Sequence, residues 1–137
     1  MNIVSEIIQN VENNCDVRVF IDQFADNDES AFYIPEEQAI GINPNQNDDE
    51  AVASIIHEVA HHVDIAENSN PNRRDIDGEV IAHSVEEIVV FNAPVNGVVG
   101  EVENDIREAY CFNGVVSIDE SDIENVANRV RQIVFNE

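Results

Sequence analysis

The stretch Ile55-Ile56-His57-Glu58-Val59-Ala60-His61-His62 constrains this chain more than any other. Val52, Ile55, Ile56, Val59, Ala60 and Val63 recur at i, i+3, i+4, i+7, i+8 and i+11, the apolar stripe of an amphipathic helix. A helix with that stripe must bury one face. His57 and His61 are four residues apart, so their imidazoles project from one face on successive turns. That spacing lets two nitrogens hold one Zn²⁺ ion. Glu58 lies one residue round, able to reach a water on the ion without taking a ligand position, as a general base would. Three of the four histidines of the chain fall in this run. The bland alternative is a helix with two surface histidines and an ordinary glutamate.

The 137 residues make one domain, residues 1–137, with one core and no linker, repeat or low-complexity block. No apolar run approaches the roughly 20 residues that span a bilayer. Met1-Asn2-Ile3-Val4-Ser5-Glu6 has neither the basic nor the apolar region of a signal peptide. Acidic residues number 29 and basic residues 6, giving a net charge of −23; every basic residue is Arg. Such a field opposes binding to nucleic acid or to an anionic membrane. The 43% hydrophobic content argues against an acidic disordered chain. The remaining reading is a folded protein adapted to high salt, where the Debye length falls to about 3 Å at 1 M. The expected setting is the cytoplasm of a halophilic archaeon, or a virus particle from one. Cys15 and Cys111 lack metal-site spacing and read as small apolar residues; a disulfide is possible but unneeded.

The pattern predicts a helix over residues 2–14 and three short strands at 17–24, 31–34 and 38–42, the first two separated by a turn at 26–30. A motif helix capped by Asp48 or Asp49 runs to about Ala66. Further helices are expected near 76–92 and 98–112. Two capping-box patterns, Ser117 to Glu120 and Ser121 to Glu124, open a last helix with Ile123, Val126, Ala127, Val130, Ile133 and Val134 on one face. The expected class is α+β: a small antiparallel sheet packed against the motif helix and three further helices.

A catalytic zinc site needs a third protein ligand. A sharp turn after the motif helix would need Gly at position 64 and a ligand at 67; the chain has Asp64 and Glu67. The other route is a carboxylate from the next helix. Glu79 and His83 are four apart on one face, with small Ala82 beside them to let two helices approach. Glu79 is the first candidate and His83 its hydrogen-bonding support; Glu86 and Asp77 are rivals, and a solvated acidic face is the bland reading. His62 points about 100° from His61 and reads as a supporting or surface residue.

His57-Glu58-Val59-Ala60-His61 followed by Glu79-x-x-Ala82-His83-Ser84-Val85 resembles the minimal gluzincin zinc peptidases of phages, plasmids and prokaryotic regulators. The resemblance covers residues 31–92. It implies a zincin-like fold, zinc at His57, His61 and Glu79, and Glu58 as catalytic acid and base. His83 stands where that family has Asn, Asp or Glu. It also implies that the strand before the motif helix, residues 38–42, presents an edge to a peptide or protein substrate. Tyr110, Tyr33 and Arg107 are candidates to stabilise an oxyanion. The alternative function is a zincin-fold structural or binding module, such as a component of a haloarchaeal virus particle, with zinc but no required catalysis. A third is a metal-free acidic interaction domain.

Overall fold

The computed structural model describes residues 2–23 and 30–137. The expected turn at 26–30 therefore lies almost wholly outside the described residues, as does the end of the first expected strand. Helix α1 (Ile3–Asn14) is capped by Asn2, whose side chain accepts the Ser5 N–H at 2.8 Å. Strands β1 (Arg18–Ile21), β2 (Ala31–Ile34) and β3 (Ala39–Ile42) follow. Then come α2 (Asp48–His62), a π turn at Val63–Glu67, α3 (Asp75–Phe91), α4 (Val95–Ala109) and α5 (Glu120–Phe135).

The α+β class stands, but the sheet is mixed rather than antiparallel. Its order is β1-β3-β2, with β1 parallel and β2 antiparallel to β3. Ala39, Ile40 and Ile42 are buried on both faces, as a central strand requires. Phe20, Gly41 and Phe32 lie in register across the three strands, and the two rings meet edge to face at 5.8 Å. A Cβ on Gly41 would come within 2.6 Å of the Phe32 ring, so the rings close over a position with no side chain.

Helix α2 buries Ile55, Ile56, Val59 and Ala60 of the expected stripe; Val52 is half-buried, and Val63 is buried in the π turn. Its cap is Asn47, which accepts the Glu50 N–H at 2.9 Å, so Asp48 and Asp49 lie inside the first turn. There their charge still favours the positive helix end. The π turn continues α2 and buries Asp64, which takes two hydrogen bonds from Arg73 at 2.9 and 2.7 Å and one from Asn70. Asp64 thus ties the α2–α3 connection back onto the helix end. Helix α3 packs against α2, α4 and α5. Neither capping box forms: α5 opens after Asp119, and the Ser117 N–H is given to the Asp77 carboxylate at 3.2 Å. All six apolar positions expected of α5 are buried. Its end is tied to α1 by Asn10 and Asn14, which donate to the carbonyls of Val134 and Ile133. Cys15 and Cys111 are both free thiols. No helix among the described residues is long and apolar enough to cross a membrane.

Candidate metal centre

Helices α2 and α3 bring together one His/Glu cluster. From α2 come His57 and His61, whose rings meet at 5.0 Å. From α3 comes Glu79, with one carboxylate oxygen 2.9 Å from His61 Nε2 and the other 3.4 Å from His57 Nε2. These three residues could hold a metal ion. A second group that could do so, His57, His83 and Glu86, shares His57 with the first. His57 is therefore the pivot: its Nδ1 lies 3.1 Å from Glu86 Oε1, on the other side of the ring.

The charges are strongly coupled. Burial opposes a proton on His57, but hydrogen bonds to Glu79 and Glu86 outweigh it and raise its pKa to about 10. Burial alone would raise the Glu79 carboxyl; its contacts with His57, His61 and His83 overcome that and hold it well below the ordinary range. Glu79 is thus an anion set among imidazoles, the state a ligand needs. Glu58 is 9% exposed and shares a cleft with His57, His61 and Glu79, yet belongs to neither metal-capable group. Burial raises its carboxyl pKa, and the two histidines counter only part of the rise.

Of the two rival ligands, Asp77 is engaged elsewhere, while Glu86 belongs to the second group. Asp77 is buried under Arg74, which donates to it at 2.6 and 3.0 Å, and it anchors Ser117. Glu86 faces His57 Nδ1. His83 reaches Glu79 at 3.3 Å through Nε2 and stacks edge-on to His57 at 4.5 Å. His62 is 2% exposed, hence not on the surface. Burial lowers its pKa and raises that of Tyr33 to about 12, and the Tyr33 hydroxyl and His62 Nδ1 share a hydrogen bond of 2.8 Å.

The cleft, about 380 Å³, is walled by Ala31, Phe32, Tyr33 and Pro35 on one side and by His57, Glu58, His61, Ile65 and Glu79 on the other. The wall is β2, not residues 38–42. The latter form the central strand, paired on both sides, and so present no edge. A smaller hollow of about 210 Å³ continues past Glu79, its lining including Arg73, Arg74, Asp75 and Tyr110. Of the oxyanion candidates only Tyr110 lies there with a half-exposed ring. The Tyr33 hydroxyl is engaged with His62, and Arg107 lies 3.6 Å from Glu103 beside a separate hollow with Cys111 and Phe112.

Gly78 packs beside the site, and pattern reading passes over it: a Cβ there would stand 3.7 Å from the His61 ring, in ordinary contact. Its place beside Glu79, in the first turn of α3, was the available signal. Compared with protein-family models, curated proteins and solved structures, the chain matches none at a significant level.

Proposed function

We propose that the protein is a zinc-dependent peptidase of the gluzincin type, with His57, His61 and Glu79 as the zinc ligands and Glu58 as the proton carrier. Two imidazole nitrogens and one carboxylate are a donor set that suits catalytic zinc. Glu79 Oε1 stands 2.9 Å from His61 Nε2 and Oε2 stands 3.4 Å from His57 Nε2, so the three side chains are close enough to share one ion. When bound, zinc would polarise a carbonyl and make water acidic enough to lose a proton near neutral pH.

The observation that carries the reading is Glu58. It stands in the same cleft as the ligands, buried, and outside both metal-capable groups. There it accepts a proton from the attacking water and returns it to the leaving amine. A carboxyl raised by burial holds that proton more readily than an ordinary one between the two transfers. Strand β2 ends the sheet, and Ala31–Tyr33 line the cleft, so an extended peptide adds as a fourth strand along it. Tyr110, beside Glu79 in the adjoining hollow, supplies the hydroxyl that steadies the carbonyl oxygen. The net charge of −23 favours basic or neutral peptide segments.

Glu58→Gln tests this. It keeps size and hydrogen bonding but cannot accept the proton. Zinc content and melting temperature should be unchanged, while turnover of peptides in molar KCl falls by about 10²–10⁴-fold. Equal turnover by the variant and the wild type would remove Glu58 from the chemistry.

A further inference from the structure

We propose that Glu86 is the positioning residue of the centre: it keeps a proton on Nδ1 of His57 and so commits Nε2 to the ion held with His61 and Glu79. The inference rests on the metal-binding reading above. Two overlapping groups could hold an ion, His57/His61/Glu79 and His57/His83/Glu86, and both need the same imidazole. An imidazole that holds an ion through one nitrogen keeps its proton on the other. Which nitrogen carries the proton therefore decides which group is complete.

The distances divide the ring. Nε2 faces Glu79 at 3.4 Å and Nδ1 faces Glu86 at 3.1 Å. An ionised carboxylate only accepts, so the Glu86 contact requires the proton on Nδ1. An ion arriving at Nε2 displaces a proton there and leaves the Glu86 bond whole. An ion arriving at Nδ1 must break that bond. His83 cannot substitute for Glu86, because its Nε2 is turned to Glu79 at 3.3 Å and it meets His57 through its ring. Glu79, His83 and Glu86 stand at i, i+4 and i+7, so one stripe of α3 faces His57 and its two carboxylates bracket the ring. A carboxylate behind a ligating histidine also makes the donor nitrogen more basic and stops the ring turning.

The test is titration of ¹⁵N-histidine-labelled protein with ¹¹³Cd²⁺, followed by NMR, in wild type, Glu86→Ala, Glu86→Gln and Glu87→Ala. Wild type should bind one equivalent, with ¹¹³Cd coupled to Nε2 of His57 and a proton on its Nδ1. Glu86→Ala should bind about 10–100-fold more weakly and lose the Nδ1 proton signal to exchange. Glu86→Gln, whose amide oxygen can accept the same proton, should recover most of the affinity. Glu87→Ala removes the same charge from the same helix and should change neither reading. Coupling to Nδ1 of His57 or to His83 would overturn the proposal, as would equal weakening by Glu86→Ala and Glu87→Ala. Failure of wild type to bind cadmium at all would overturn the metal reading with it.

Discussion

Protons and a metal ion compete for His57. In the metal-free protein its pKa stands at about 10 against an ordinary 6.5, held up by Glu79 and Glu86 against the pull of burial. A group raised on folding stabilises the fold fully below its unfolded pKa and loses that contribution as pH climbs to the folded one. Glu79, depressed from 4.5, behaves oppositely: its contribution is present above that value and is lost as pH falls. The His57 share of metal-free stability should therefore fade between pH 6.5 and about 10. Urea midpoints of wild type minus those of His57→Gln, at fixed salt, measure it; a difference that grows with pH would contradict the coupling. With metal the sign reverses, because binding releases the proton. Of this centre, His57, Glu58, His61 and Glu79 were legible in residue types and spacing. Glu86 was legible as a rival ligand, and it does stand in a second metal-capable group; its contact with His57 Nδ1 depends on how α3 crosses α2. Asp77 and Glu79 differ by two positions, and it is the partners of Asp77, Arg74 and Ser117, that take it out of contention.

Among the elements, helices were the readable part, since a period of 3.6 residues marks a buried stripe without reference to a partner. Strands reveal a period of two but not their neighbours. The order β1-β3-β2 follows from where the chain returns after β1, which no local pattern encodes. One clue was present: Ala39-Ile40-Gly41-Ile42 has no polar residue, as befits a strand covered on both sides. The missed cap of α5 has a similar origin, because Ser117 spends its N–H on a carboxylate 40 residues away. Gly41 turns the sheet order into a measurement. Gly41→Ala would force a Cβ to within 2.6 Å of the Phe32 ring and 3.0 Å of the Phe20 ring. The loss in unfolding free energy should be about 1–3 kcal/mol, the usual cost of overpacking. Trimming Phe32 to Leu in the same chain should recover part of it. If the double variant is no more stable than the sum of the single changes allows, the rings do not meet over Gly41.

At the scale of the molecule, α5 closes the fold onto α1 while α2 and α3 meet at the cluster, so the centre joins two helices of the core. Arg129 adds a tie from α5 to Glu67 at the end of the π turn, at 2.7 Å. The chain carries 29 acidic side chains against 6 basic ones. We read the surplus as adaptation to concentrated salt, where a Debye length of about 3 Å at 1 M silences most surface repulsion. Melting temperature should then fall steeply on dilution from molar to 0.1 M KCl, as the Debye length grows to about 10 Å and the like charges feel one another. A flat profile would contradict that reading. The central claim, that His57, His61 and Glu79 form one metal site, is tested most directly by equilibrium dialysis with Zn²⁺ in high salt. Wild type, His57→Ala, Glu79→Ala and Asp77→Ala are compared. The account predicts one tightly held equivalent in wild type and in Asp77→Ala, even though the latter is less stable, and strongly weakened binding in the other two. Undiminished zinc affinity in Glu79→Ala, or a loss in Asp77→Ala as large as in His57→Ala, would contradict it.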